Sequence, residues 1–153
     1  MEMKAAQQIG GRQAVRTLFF VILIVELFLL IRETRGDFAN GILFYIAEQL
    51  NVFVLGLFLI LFSTTYYWGR SAGKEIIIDG RNYLWIGIKY SLLELVIVLG
   101  YLIIIYAVNH ASRRIWQSLL PVIIRITISI IGIWLWSVWR IKLKASVVDL
   151  NQS

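Results

Sequence analysis

The chain has no cysteine. Disulfides, thiol redox chemistry and thiolate metal sites are therefore excluded. Its single histidine is His110, so a zinc site made from this chain lacks the usual ligands. Proline is almost absent: Pro121 stands alone in 153 residues, leaving long stretches with nothing to break a helix. Acidic residues are scarce, 9 Asp and Glu against 15 Lys and Arg, for a net charge of +6. The motifs that cradle phosphates (G-x-x-x-x-G-K-S/T), bind dinucleotides (G-x-G-x-x-G) or hold a catalytic zinc (H-E-x-x-H) are all missing, and the G-x-S-x-G pattern occurs once, at residues 69–73. The sequence thus points to no enzyme activity, no cofactor and no metal. Gly10–Gly11 reads as a short flexible spot near the N-terminus.

What the chain has in abundance is apolar side chains. They make up 59% of the residues, and the mean hydropathy is +0.78. A soluble domain is usually about 45–50% apolar, so the excess needs lipid to face. Four runs approach the roughly 20 residues needed to cross a bilayer. They cover about 15–32, 41–67, 83–106 and 118–140. The expectation is an all-α integral membrane four-helix bundle, one domain over 1–153. The first run reads as an uncleaved anchor. Lys4, Arg12 and Arg16 form a basic start, but no A-x-A-like cleavage site follows.

Charge distribution sets the orientation. Lys4, Arg12 and Arg16, then Arg70, Lys74 and Arg81, then Arg140, Lys142 and Lys144 share one side. Only Arg32, Arg35, Arg113 and Arg114 lie on the other. That bias places both termini in the cytoplasm. The basic charge is explained by topology and anionic headgroups, and no nucleic-acid partner is implied. Aromatic residues mark the boundaries: Tyr66, Tyr67, Trp68, Tyr83, Trp85, Trp134, Trp136 and Trp139 inside, and Phe44, Tyr45, Tyr106 and Trp116 outside. Asp37 or Asn40 suits a cap of the second helix and Ser118 of the fourth, with Pro121 in the first turn. The segment 69–82 reads as a cytoplasmic loop with an Asp79–Gly80 turn. Its Ile76–Ile78 patch fits a headgroup contact or a short strand equally well.

Five ionisable residues interrupt the apolar runs: Glu26, Glu48, Lys89, Glu94 and Arg125. A charge at the bilayer centre costs about 2.5–3.5 kcal/mol on insertion scales, so such groups face the bundle interior and pair. Glu26, Glu48 and Arg125 each lie six residues from the outer boundary of their runs, about 9 Å deep at a rise of about 1.5 Å per residue. The expectation is one layer in which Glu26 and Glu48 share Arg125, whose planar fork serves two carboxylates. Glu94 falls near the midplane, facing the core. Lys89 is within snorkelling reach of the headgroups. Ser91, Thr127, Ser129, Gln49 and Asn51 are available to extend the network. Two readings remain open. The network fixes helix order and register as interhelical glue, or it also carries protons or small ions. Arg125 and Lys89 would compete with any hard cation for the glutamates.

Three stretches resemble the phosphate-starvation-inducible E family of small four-span bacterial membrane proteins. They are FLLIRETRGDFANGILF (28–44), NYLWIGIKYSLLELVIV (82–98) and LWSVWRIKLK (135–144). The resemblance implies a multi-pass protein of the bacterial inner membrane, linked to phosphate or nutrient stress, with no catalytic residues to carry over. As partners the sequence suggests the lipid bilayer, further copies of the chain or another membrane protein.

Overall fold

The computed structural model describes residues 2–33, 52–108 and 113–150. Among them are four α-helices and no strand: α1 (Met3–Glu33), α2 (Val52–Ile77), α3 (Tyr83–Val108) and α4 (Arg113–Leu150). The all-helical expectation holds for these residues. Two of the expected spans have stretches long and apolar enough to cross a membrane, Tyr83–Ile105 and Ile123–Val147. The first expected span lies wholly within α1. Its apolar run between Arg16 and Arg32 is short and is interrupted by Glu26. The second is described only from Val52 onward. Glu48, Asp37, Asn40, Gln49, Phe44 and Tyr45 lie outside the described residues.

Consecutive helices run antiparallel. In the first pair, small residues set the separation. Ala6, Gly10 and Ala14 recur every fourth residue on α1, and Thr65, Gly69 and Gly73 do so on α2. Residues four apart share a helix face. A Cβ built on Gly10 would stand 2.1 Å from the Gly69 carbonyl oxygen and 2.6 Å from the Gly73 Cα. One on Gly73 would stand 2.4 Å from the Ala6 carbonyl oxygen. The two backbones are in contact, the small-xxx-small packing that lets helices approach closely. Arg70 Nη2 donates to Gln7 Oε1 at 3.3 Å on the edge of the same contact. Gly10–Gly11 is therefore buried helix, not a flexible spot.

The same packing overturns the loop expected over 69–82. Helix α2 runs on to Ile77, because Gly69, Ala72, Gly73 and Ile76 are all buried. Ile76 belongs to the core and does not pair as a strand. The Asp79–Gly80 turn is where the sequence puts it. Gly80 has φ +63°, a left-handed conformation that glycine adopts without a Cβ clash. The chain then folds back, and the Arg81 N–H donates to the Glu75 carbonyl at 3.0 Å. Asn82 starts α3 as its N-cap, its Oδ1 accepting from the Leu84 N–H at 2.9 Å. Helix α4 begins at Arg113, ahead of Ser118. Ser118 is thus inside the helix, and Pro121 lies in its third turn, not its first.

The core joins α2, α3 and α4 through Ala72, Ile76, Ile86, Tyr90, Val98, Ile130, Trp134, Val138 and Ile141. Gly87 lets α3 close onto Leu135 and Val138 of α4. Helix α1 packs along α2 and reaches α4 through an edge-to-face contact of Phe20 and Trp136, centroids 5.7 Å apart. The outside of the bundle is apolar. Phe19, Leu23, Phe28, Leu59, Val96 and Ile128 are all exposed, from all four helices.

Candidate functional site

Glu94 sits in the middle of α3 with 2% of its surface exposed. Three donors from two other helices converge on it. Thr65 Oγ1 donates to Oε1 at 2.6 Å, and Thr64 Oγ1 approaches the same oxygen at 3.0 Å. Trp134 Nε1 donates to Oε2. The local sequence explains the convergence. Thr64 and Thr65 lie one turn before Gly69, where α2 turns its small residues toward α1 and its neighbouring face toward α3. Trp134 is fully buried and stacks on Tyr90 at 5.4 Å, one turn before Glu94 on the same face of α3.

Proton accounting at this carboxyl is informative. Thr64 Oγ1 also lies 2.8 Å from the Ile60 carbonyl, and one hydroxyl has one proton to give. With that proton on Ile60, the Thr64 oxygen is an acceptor facing Glu94. A hydroxyl can donate to a carboxylate or accept from a carboxylic acid by rotating. Trp134 can only donate. The site therefore accommodates either protonation state of Glu94 without moving a helix.

Next to Glu94 is a cavity of about 410 Å³ between the helices. Its walls are mostly apolar, among them Leu18, Val25, Phe58 and Ile133. Glu26 from α1, Glu94 from α3, and Arg125 and Ser129 from α4 supply its polar groups. Three of the five singled-out charges thus border one space. Among the described residues the ion pairs are Arg81–Glu75 and Lys89–Glu75, and none joins Glu26 to Arg125. The Glu48 part of the expected layer lies outside the described residues. Ser91 and Thr127 do not extend the network: each returns its hydroxyl to its own helix, on the carbonyls of Ile88 and Ile123. Among the described residues, no group of three His, Cys, Asp or Glu could hold a metal ion.

A second cluster lies at the end of the bundle beside the 78–82 turn. Lys89 Nζ donates to Glu75 Oε1 at 2.8 Å, the Tyr90 hydroxyl donates to the same oxygen at 2.5 Å, and Arg81 Nη1 donates to Oε2 at 3.1 Å. Glu75 lies outside the apolar spans. Burial works to raise its pKa, but the hydrogen bonds from Lys89 and Tyr90 and the charges of Lys89 and Arg81 outweigh burial and hold it below the usual carboxylate value. Lys89 is half-exposed and also rests over the Tyr90 ring. It has a carboxylate partner, which headgroup snorkelling alone does not anticipate.

Sequence reasoning missed Glu75, Thr64, Thr65 and Tyr90, and it took Trp134 for an interfacial anchor. Trp134 is instead the buried link between Tyr90 and Glu94, while Trp139 stays exposed. A signal for it was present in the 3.6-residue period. Ile130, Trp134, Val138 and Ile141 fall on one face of α4, and that face is the core. The chain matches no family model, no curated protein and no solved structure.

Proposed function

We propose that this chain is a multi-pass protein of a bacterial inner membrane, a non-enzymatic four-helix bundle fastened by interior polar groups. On the resemblance above, its setting is phosphate or nutrient stress, as an accessory to another membrane protein or as a homo-oligomer. The observation that carries the reading is a buried carboxyl group with hydrogen-bond partners on both oxygens, inside helices whose outer faces are mostly apolar. In the two stretches long enough to cross, only 22% and 28% of the residues are buried. The core helix of a soluble protein would be mostly covered, and a monomer in water rarely exposes so large an apolar patch. In lipid the arrangement is sensible, with polar groups turned inward and apolar groups outward.

The absence of cysteine makes the test clean. Single cysteines at Lys4, Arg113 and Ser146 report each terminus and the third connection to a membrane-impermeant maleimide. We expect the chain in the membrane fraction, resistant to alkaline washing. Lys4→Cys and Ser146→Cys should label only after permeabilisation, and Arg113→Cys in intact cells. Release of the chain by alkali without detergent would overturn the reading.

The cavity favours a second function, movement of protons or small ions past Glu26 and Glu94. Its support is the pair of hydroxyls at Glu94 that can serve both protonation states. Four helices enclose little space, so this reading requires self-association. In reconstituted vesicles it expects pH-driven flux that Glu94→Gln abolishes. Vesicles as tight as protein-free controls would exclude it.

A further inference from the structure

We infer that the inner end of the bundle carries a binding site for the phosphate headgroup of an anionic phospholipid, in the groove between α1 and α4. The inference rests on the membrane reading above. The groove is about 350 Å³ and is lined by Gln13 and Arg16 of α1 and by Arg140, Leu143, Lys144 and Val147 of α4. The four α4 residues follow the spacing i, i+3, i+4, i+7, so they form one face, and Gln13 and Arg16 are likewise one turn apart. Three cations border the groove, and among the described residues no carboxylate does. Among the described residues none of the three takes part in an ion pair. Glu75 is the contrast within the same molecule, since it gathers both Lys89 and Arg81.

Position and neighbours select the occupant. Arg16 is the last charge before the apolar run of α1, and Arg140 opens the basic end (Arg140, Lys142, Lys144) of the Ile123–Val147 stretch of α4, so on this reading both stand at the membrane boundary. One turn toward the membrane from each lie Phe20 and Trp136, in contact with one another. Phe20 is about half exposed. Cations above an open aromatic surface match an amphiphile with a phosphate head and acyl chains. Basic pockets between transmembrane helices on the cytoplasmic side suit such headgroups. Free inorganic phosphate would use the cations but leave the aromatic pair uncovered.

The test is native mass spectrometry of the detergent-solubilised full chain. It is titrated with phosphatidylglycerol, with phosphatidylcholine of the same acyl chains, and with inorganic phosphate. We expect saturable binding of phosphatidylglycerol over the other two. Attraction worth about 1 kcal/mol per cation near the surface corresponds to about fivefold in affinity for each of Arg16→Gln, Arg140→Gln and Lys144→Gln, and on the order of a hundredfold for all three. Arg70→Gln, which removes a cation of α2 that meets α1 at Gln7, outside the groove lining, should leave the affinity unchanged. If the triple variant does not fold, the single variants carry the comparison. Equal binding of phosphatidylcholine, equal loss in Arg70→Gln, or undiminished binding in the variants would overturn the site. Binding of inorganic phosphate as tight as the lipid would overturn the lipid assignment. The membrane reading fails separately, by release of the chain into the alkaline wash, whatever the lipid result.

Discussion

Glu94 shows what single side chains must do inside this bundle. Its replacement by glutamine keeps one oxygen to accept from Trp134 and turns the amide NH2 toward Thr64 and Thr65, whose hydroxyl oxygens can accept. Glu94→Gln should therefore unfold within about 1 kcal/mol of the parent, the scale of a neutral hydrogen bond. Glu94→Leu leaves the buried Trp134 N–H without an acceptor and should cost about 1–3 kcal/mol for that donor. Thermal unfolding in detergent micelles distinguishes the two, and equal stability of the Leu and Gln variants would contradict the network. Glu75 makes the complementary prediction in pH. Its folded pKa lies below the ordinary 4.5, so its contribution is fully present above 4.5 and is lost as pH falls through the lower folded value. The parent should lose stability over that acidic window, and Glu75→Gln should show a shallower decline.

At the scale of elements, the glycines sort themselves by what stands opposite. Gly10→Ala and Gly73→Ala each force a Cβ into backbone of the facing helix. Side-chain rearrangement cannot relieve that clash, so each should destabilise by about 1–3 kcal/mol, as overpacking does. Gly132 has open space at its Cβ position, and Gly132→Ala should be neutral or stabilise by up to about 1 kcal/mol through helix propensity. If all three alanines behave alike in an unfolding series, the close α1–α2 contact is wrong. This contact also marks the limit of what the sequence made legible. Hydropathy located α3 and α4 well, because their apolar runs are long and the Asp79–Gly80 turn is local chemistry. It misjudged Gly10 and residues 69–77, because glycine scores as a breaker until a partner helix with the same four-residue period is placed beside it. Likewise the interior position of Glu94 was readable from the cost of burying charge, whereas its partners were not. Thr64, Thr65 and Trp134 become neighbours only through helix pairing, and hydroxyls and indoles carry no sequence flag. Glu75 was hidden by being assigned to a loop.

The whole molecule divides naturally at the 78–82 turn. Helices α1 and α2 share the small-residue contact, and α3 and α4 share Gly87, Tyr90 and Trp134. Across the halves, Ala72 and Ile76 of α2 enter the apolar core of α3 and α4, and polar contacts stand beside that packing. Thr64 and Thr65 reach across to Glu94, Lys89 and Tyr90 reach across to Glu75, and Phe20 meets Trp136. On the proposed membrane reading, apolar surfaces gain little from meeting each other in lipid, so polar groups and close packing decide association. The halves 1–79 and 80–153, co-expressed as separate chains, should therefore insert independently and co-purify in mild detergent. Combining Glu94→Leu with Glu75→Leu removes both polar ties between the halves while leaving the α1–α2 glycine contact and the α3–α4 packing around Gly87 in place. That pair of changes should sharply reduce recovery of one half with the other, although each half still reaches the membrane. Gly132→Ala, which touches neither tie, should leave recovery as it was. Undiminished co-purification in the double variant would mean that apolar packing alone holds the bundle. The interior carboxylates would then have to be explained by what passes them, not by what they fasten.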